Sequence, residues 1–221
     1  MERRGGEAQQ LPQIKNIFQP GLIRGQRRLP HDPEKQYAYV EHPLEGWRVY
    51  MRSCAFLYRE GETDPTRFIV VKKMGASEGG KTWEPPKGQM EGKDADIRSA
   101  RPRPIIKILE ENVRREIEEE AHITKIRGLH HTGCVFQDRE YNYKPGIYFQ
   151  YHIFRGIISE AEYKRAQAYF EAMKEHPEIL ETLSRDYLEK DAIDIYTPGK
   201  TKLFGRWSPK IVKIWLNALS A

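Results

Sequence analysis

The segment Arg115–Glu120 places four carboxylates within five positions of a predicted amphipathic helix. The apolar residues of this helix recur at helical spacing and form one stripe: Ile106, Leu109, Val113 and Ile117. Measured from the last of these at about 100° per residue, Glu120, Glu116 and Glu119 lie about 60°, 100° and 160° to one side. Glu118 lies about 100° to the other side. The helix must therefore pack on a core while holding three carboxylates in one sector that begins on its apolar stripe.

This arrangement predicts a site for a divalent cation. Carboxylates three and four residues apart repel each other on a bare helix, and burying Glu120 among like charges is costly unless a positive charge intervenes. Mg²⁺ prefers carboxylate oxygens and bridges readily to phosphate, so it can polarise a phosphoryl oxygen, activate water and orient a diphosphate. The alternative is a solvated acidic face without a ligand. The position of Glu120 on the apolar border favours the metal.

Composition limits the class of protein. With 221 residues, 38% hydrophobic and 11% aromatic, the chain can build a core as one domain with additional segments, or at most two small domains. It has no apolar run near the roughly 20 residues of a membrane span, and no secretory h-region follows Met1. Cys54 and Cys134 are predicted to be buried free thiols in a reducing compartment. We therefore predict an intracellular, cytoplasmic protein without a membrane partner, and mitochondrial import is left open.

The net charge of +5 suits an anionic substrate or a nucleic acid. Basic residues gather near both ends of the chain: Arg24, Arg27, Arg28, Lys200, Lys202, Arg206, Lys210 and Lys213. If they meet on one surface they could guide RNA or a long polyphosphate, and otherwise they are scattered solvated charges. RNA is therefore a second candidate partner.

The chain divides into a proline-broken N-terminal extension, residues 1–45, which could wrap the domain, and a domain over residues 46–221. Alternating residues 48–57 predict a strand, which we expect to form a hairpin with the buried strand 68–71. Further strands are predicted at 129–136, 147–158 and 192–196, and helices from Pro104 and from Ser208. Mixed strands and helices without regular βαβ alternation favour an α+β or layered α/β fold.

Residues 159–190 form a predicted helical insertion. Ser159 and Glu162 have the spacing of a capping box at the start of a first helix. His176-Pro177 ends that helix, and apolar residues over 179–187 predict a second one. The insertion could be a lid, a dimer contact or an RNA platform, and the oligomeric state stays open.

The residues Arg115-Glu116-Ile117-Glu118-Glu119-Glu120-Ala121-His122-Ile123 resemble the second half of the Nudix hydrolase motif. Upstream, Gly88 takes the place of the motif glycine, and Asp94 stands where the family has glutamate. The interval between Asp94 and Arg115 is longer than in the family, and His122 replaces the last glycine of the motif. Glycine is favoured at that turn for its left-handed conformation. None of these departures removes a metal ligand.

The resemblance implies an α/β/α sandwich around a mixed β-sheet and hydrolysis of a diphosphate bond in a nucleoside diphosphate linked to another group. It implies that Glu116, Glu119 and Glu120 bind Mg²⁺ or Mn²⁺, and that Glu116 or Glu120 orients or deprotonates the attacking water. Arg115 would brace the junction of loop and helix. Gly88 would allow close backbone approach, and Lys87 could contact phosphate. Family members often add a loop acid, for which the candidates are Glu140, Glu189, Asp191 and Asp194.

The segment Trp83-Glu84-Pro85-Pro86-Lys87-Gly88 is similar to the corresponding segment of dinucleoside polyphosphate hydrolases. It is less similar to that of mRNA-decapping and diphosphoinositol polyphosphate members. Capped RNA and dinucleoside polyphosphates are therefore the expected substrates, with diphosphoinositol polyphosphates as an alternative. A non-catalytic Nudix-fold module that binds RNA or a nucleotide is the alternative from a different class.

Overall fold

The computed structural model describes residues 13–19, 22, 37–77, 79–92 and 104–220. The strands in this part of the chain are β1 (Tyr39–Glu41), β2 (Arg48–Arg59), β3 (Ile69–Lys73), β4 (Trp83–Glu84), β5 (Lys87–Gln89), β6 (Arg127–Arg139), β7 (Ile147–Ile158) and β8 (Lys190–Ile195). The helices there are α1 (Ile105–Ala121), α2 (Glu160–Glu175) and α3 (Ser208–Leu219). None of these helices is long and apolar enough to cross a membrane.

The described strands form a five-stranded mixed sheet and a three-stranded antiparallel sheet. In the larger sheet the order is β1-β2-β7-β6, with β5 also paired to β2. The central pair, β2 and β7, is parallel, and the other pairs are antiparallel. In the smaller sheet β3 lies between β4 and β8.

Strand β2 separates two hydrophobic clusters because its alternate side chains point to opposite faces of the sheet. Met51 and Leu57 pack in one cluster with residues of α1 and α2. Tyr50 and Phe56 pack in the other cluster, where Phe56 stacks on Trp215 of α3 at 5.1 Å between ring centroids. Helices therefore cover both faces of the sheet, which confirms the predicted α/β/α sandwich around a mixed sheet.

The predicted hairpin between the strands at 48–57 and 68–71 is wrong. Both strands exist, but β2 and β3 belong to different sheets. Strand β2 is already paired with β1, β5 and β7, whereas β3 pairs with β4 and β8. The polar turn between β2 and β3 therefore connects two sheets, and a local turn pattern could not distinguish this from a hairpin.

The predicted start and end of the first insertion helix are confirmed. The Ser159 hydroxyl accepts a hydrogen bond from the Glu162 backbone N–H at 3.1 Å, and α2 ends before His176. The predicted second helix is wrong, because two short 3₁₀ helices, Pro177–Thr182 and Arg185–Leu188, occupy this stretch. Extended backbone at Leu183 and Ser184 separates them.

Part of the predicted N-terminal extension belongs to the packed domain. Ile17 is only 2% exposed and lies in the cluster that contains α1. Strand β1 pairs in register with β2, from Tyr39 opposite Tyr50 to Glu41 opposite Arg48. The described residues before position 46 therefore complete the sheet and cover one of its faces.

A directional hydrogen-bond chain holds this N-terminal segment on the sheet. The Gly133 N–H donates to Nδ1 of His131, so a neutral His131 donates from Nε2 to Nδ1 of His152, with both distances 3.0 Å. Nε2 of His152 then donates to the side-chain oxygen Oε1 of Gln150 at 3.1 Å. The side-chain amide of Gln150 in turn donates to the backbone carbonyl of Lys15 at 2.7 Å. The chain requires both imidazoles to be neutral, and burial lowers the pKa of His152 to about 3.

Candidate active site

Helix α1 buries part of its acidic face, as its periodicity predicts. Glu116 is 9% exposed and Glu120 is 3% exposed, whereas Glu118 on the opposite side is exposed. Glu119 is intermediate. The helix packs on β2 and β5 through the apolar stripe, and this packing draws the neighbouring carboxylates toward the sheet. The three predicted site carboxylates therefore reach one pocket instead of pointing into bulk solvent on separate faces.

This pocket, of about 170 Å³, lies between α1, β5 and the 3₁₀ helix Arg185–Leu188. Its lining contains six carboxylates and two cationic side chains among the described residues, together with Tyr37, Gly88 and Gln89. The carboxylates are those of Glu91, Glu116, Glu119, Glu120, Asp186 and Glu189, and the cations are Lys87 and Arg115. Such an excess of hard oxygen donors is the chemistry that attracts Mg²⁺ or Mn²⁺.

Gly88 lies directly against the carboxylate of Glu116. A Cβ atom at this position would overlap the Glu116 carboxyl group, so the close approach requires glycine. Pairing of β5 with β2 places Gly88 opposite Ser53, whose hydroxyl donates to Oδ1 of Asn112 at 2.6 Å. The Asn112 amide points on to Glu116 at 3.4 Å. A buried polar path therefore connects the central strand to the site carboxylate.

Arg115 joins two of the site carboxylates. Its guanidinium donates to Glu116 at 2.7 Å and forms a second ion pair with Glu119, one turn further along α1. A planar guanidinium can serve two carboxylates at once in a fixed geometry. These contacts join carboxylates of its own helix, and the bracing of the loop–helix junction that the resemblance implies for Arg115 stays a prediction.

Glu120 has partners at both carboxylate oxygens. Its Oε2 accepts a hydrogen bond from the backbone N–H of Lys87 at 2.8 Å. Its Oε1 pairs with Nζ of Lys190, the first residue of β8, at 2.6 Å. An ammonium group therefore supplies the positive charge that burial of this carboxylate demands.

The pair belongs to a buried quartet that also contains Glu84 and Lys87. Glu84 pairs with Lys190 at 2.5 Å and with Nζ of Lys87 at 2.7 Å, and it accepts a hydrogen bond from Ser208 at 3.1 Å. Burial acts to raise the pKa of Glu84, but the two lysines outweigh it and lower this pKa to about 2. Burial acts to lower the pKa of Lys190, but Glu120 and Glu84 outweigh it and the pKa is raised. Counted as ionised groups, two lysines and two carboxylates balance in charge beneath the pocket, and at Glu120 burial outweighs the lysines and raises the pKa.

The structure separates the four loop acids named from the sequence. Glu189 lines the pocket. Glu140 pairs with Arg52, and Asp191 pairs with Lys72 at 3.4 Å and accepts the Gly75 N–H. Asp194 lines a different pocket, beside α2. Only the first of these acids therefore lies with the carboxylates of α1.

Lys87 lines the pocket, but its ammonium pairs with Glu84. In this structure Glu84 therefore engages the ammonium that was expected to contact phosphate, and that contact stays a prediction. Sequence reasoning missed Glu84, Glu91, Asp186 and Lys190. Glu84 lies in the Trp83–Gly88 segment and could have been considered, whereas no local pattern distinguishes Lys190 from the charged residues around it. Asp94 lies outside the described residues.

The donor set suits a hard divalent cation in kind, and the glycine opposite Glu116 lets that carboxylate lie against the β5 backbone. Within the described ranges, however, no three His, Cys, Asp or Glu groups stand close enough together to hold a metal ion as they are placed. Arg115 draws Glu116 and Glu119 toward itself, and Lys190 engages Glu120. Each of these three carboxylates therefore already has a cationic side chain as a partner.

His122, which replaces the motif glycine, does adopt the left-handed conformation expected there, with φ 55°. Its ring is 5% exposed and packs against Tyr169 of α2 at 4.0 Å between centroids and against Phe170 at 4.8 Å. Burial lowers the pKa of His122 to about 4. Aromatic packing against α2 thus accompanies a backbone conformation that histidine adopts less readily than glycine.

No protein-family model and no curated protein matches the chain. Among solved structures, it is similar to the NUDIX domain of Shewanella oneidensis NrtR in complex with ADP ribose (10% identity, TM-score 0.45, covering 86% of this chain and 94% of that one). It is also similar to NUDIX hydrolases from Listeria monocytogenes (13%, 0.43, 77% and 94%) and Nitrosomonas europaea (10%, 0.41, 77% and 90%). At these identities and TM-scores, the similarities do not assign a reaction.

Proposed function

We propose that this chain is a Mg²⁺- or Mn²⁺-dependent hydrolase that cleaves a diphosphate bond in a nucleoside diphosphate linked to another group. The observation that carries the proposal is the gathering of six carboxylates and two cations around one open pocket. A pocket with this excess of negative charge repels a phosphorylated substrate unless divalent cations bind between them. Requirement for a metal and preference for a diphosphate therefore follow from the same charge distribution.

Glu116 and Glu119 would hold the cation, with Glu189 as the additional loop acid, because these three carboxylates line one pocket and Arg115 already holds the first two side by side. When bound, the cation would polarise a phosphoryl oxygen and lower the pKa of a bound water. Glu120, the third ligand implied by the resemblance, has both oxygens engaged by Lys190 and Lys87 in this structure.

The side chains of the pocket would accept the proton of the attacking water and hold the carboxylates in place. Water attacks one phosphorus, a carboxylate accepts its proton, and the bond from that phosphorus to the bridging oxygen breaks. Of the two bases implied by the resemblance, we propose Glu116, because Asn112, Arg115 and Gly88 fix its carboxyl group at the pocket. Arg115 would keep Glu116 and Glu119 in register on the helix. Precise placement of such groups is what makes general-base catalysis effective.

The proposed substrates are capped RNA or a dinucleoside polyphosphate. The support is the similarity of the Trp83–Gly88 segment to that of dinucleoside polyphosphate hydrolases. Two residues of this segment, Lys87 and Gly88, line the pocket. An anionic substrate also agrees with the net charge of +5. ADP-ribose, which is bound to one structurally similar domain, and diphosphoinositol polyphosphates serve as comparison substrates.

A specific observation favours a second candidate function, a non-catalytic module that binds RNA or a nucleotide. Arg115 and Lys190 already neutralise carboxylates of the motif, so crowding by itself does not demand a metal. Such a module would bind its ligand without turnover, and binding would survive loss of the α1 carboxylates.

A substrate panel separates the two functions. Capped RNA, diadenosine tetraphosphate, ADP-ribose, nucleoside triphosphates and diphosphoinositol phosphates are each incubated with the protein and Mg²⁺ or Mn²⁺. Glu119→Gln is the test variant, and Glu118→Gln is its matched control because Glu118 is the exposed glutamate beside it on α1. We expect hydrolysis by wild type and Glu118→Gln and a loss of roughly a hundredfold or more in Glu119→Gln. Equal binding without hydrolysis by all three proteins would establish the binding module instead.

A further inference from the structure

Lys190 occupies an unusual place for a lysine. Its side chain is 5% exposed, and its ammonium lies 2.6 Å from Glu120 Oε1 and 2.5 Å from Glu84 Oε1. Lysine is almost never this buried unless it is paired. The two carboxylates it bridges come from α1 and β4, so the ammonium joins three separate elements at the base of the pocket.

The ammonium provides a positive charge for Glu120 without a metal. Breaking a buried ion pair by removing one partner leaves an uncompensated charge, so this arrangement strongly resists loss of either group. Together with Lys87, the quartet balances two positive charges against two negative ones. A divalent ion at Glu120 would have to displace Lys190 and would leave that balance one charge too positive.

The other oxygen of Glu120 is occupied in a way that serves the site. It accepts the backbone N–H of Lys87, the residue before Gly88. Because Gly88 lies against the Glu116 carboxylate, fixing this peptide also fixes the backbone that contacts Glu116. The path from Lys190 through Glu120 to Gly88 is therefore a series of direct contacts that ends at the proposed base.

We propose that Lys190 takes the place of a cation at Glu120, so that Glu120 positions the Lys87–Gly88 peptide while the divalent cation site is built on Glu116 and Glu119 without it. This inference rests on the proposed function, which it deepens. Lys190 and Glu120 are positioning residues in this account. The chain thereby differs from the ligand set that its sequence motif implies.

The test measures Mn²⁺ binding to the full chain by electron paramagnetic resonance, which needs no turnover. Wild type is compared with Glu119→Gln, Glu120→Gln, Lys190→Met and the double variant Lys190→Met/Glu120→Gln. Because the amide oxygen of a glutamine can still accept the Lys87 N–H, we expect Glu120→Gln to stay within about twofold of wild-type affinity. Glu119→Gln removes a proposed ligand and should lose about tenfold or more. Lys190→Met should gain an additional or about tenfold tighter Mn²⁺ site, and that gain should vanish in the double variant.

A second variant keeps the test informative if Lys190→Met alone does not fold. Lys190→Met/Glu84→Gln removes one carboxylate together with one ammonium, so the remaining buried charges, on Lys87 and Glu120, still balance. Circular dichroism establishes folding, and Mn²⁺ binding above the wild-type level in either folded Lys190→Met background supports the proposal. Binding that stays at the wild-type level in both backgrounds overturns it.

The outcomes also separate this inference from the proposed function. If Glu120→Gln weakens Mn²⁺ binding as much as Glu119→Gln does, Glu120 is a ligand and the inference is wrong, although a metal-dependent hydrolase remains. If wild type binds no Mn²⁺ but Lys190→Met binds it through Glu120, the role of Lys190 is supported while the hydrolase proposal fails.

Discussion

Gly88 of β5 and Glu116 of α1 lie so close that a single added methyl group at Gly88 would overlap the Glu116 carboxylate. The contact joins the two halves of the sequence motif in space. It also explains why a residue without a side chain is needed in a strand, where glycine is otherwise unfavourable. The position of the proposed base thus depends on the absence of a Cβ atom in its neighbour.

Gly88→Ala should therefore disturb Glu116 and destabilise the fold. We expect a loss of about 1–3 kcal/mol in the free energy of unfolding, the usual cost of overpacking, together with loss of hydrolysis. Urea denaturation and activity assays measure the two effects. Glu116→Ala removes the overlapping group, so Gly88→Ala should cost much less in that background. An equal cost in both backgrounds would contradict the proposed contact.

Stability should fall in mild acid because of the buried histidine chain. The pKa of His152 is lowered from 6.5 to about 3 by burial, so the unfolded chain takes up a proton below pH 6.5 that the folded chain refuses. Above pH 6.5, His152 is neutral in both the folded and the unfolded chain, and the folded protein has its full stability from this residue. It declines by about 1.4 kcal/mol per pH unit as the pH falls toward the folded-state pKa.

The measurement is the free energy of unfolding between pH 7 and pH 4, with His152→Gln as the variant. Its amide does not titrate, so the decline should be shallower than in wild type. His176→Gln, which changes an exposed histidine, is the control and should follow the wild-type curve. A His152→Gln curve parallel to wild type would show that His152 is not the group responsible.

Glu162 should matter far more for stability than Glu160, although both lie in the first turn of α2. The Glu162 carboxylate accepts backbone N–H groups of Thr124 at 2.7 Å and Lys125 at 3.1 Å and pairs with Arg165 at 2.6 Å. Glu162→Ala leaves these donors without their acceptor, so we expect a loss of about 1–3 kcal/mol.

Glu160→Ala provides the matched comparison. Glu160 is exposed and forms ion pairs at 3.4 Å or longer, so its removal should change the free energy of unfolding by about 0.5 kcal/mol or less. Chemical denaturation of the two variants decides the point. A loss for Glu162→Ala as small as the loss for Glu160→Ala would mean that the contact between α2 and the segment after α1 contributes little.

The helix of the candidate site could be predicted from the sequence because helical periodicity is a local property. The burial of Glu116 and Glu120 and the exposure of Glu118 follow from spacing relative to the apolar stripe. The left-handed end of the helix at His122 follows from the motif, and strand β2 follows from the alternation over residues 48–57.

Contacts between distant parts of the chain could not be predicted in this way. Lys190 reaches Glu120 because β8 joins β3 in the smaller sheet, and no local pattern specifies that pairing. The same limit explains the wrong hairpin, since a turn sequence does not indicate which sheet the next strand enters. From the sequence, crowded carboxylates implied a metal, whereas the structure supplies Arg115 and Lys190 as additional counter-charges.

The most direct test of the account is hydrolysis of the best substrate from the panel in water enriched in oxygen-18, with and without Mg²⁺ or Mn²⁺. We predict one labelled oxygen in a phosphate-bearing product, no reaction without the cation, wild-type labelling by Glu118→Gln and a loss of roughly a hundredfold or more in Glu116→Gln. Labelling that persists at the wild-type rate in Glu116→Gln, or after removal of all divalent cations, would contradict the claim that this carboxylate pocket performs metal-dependent hydrolysis.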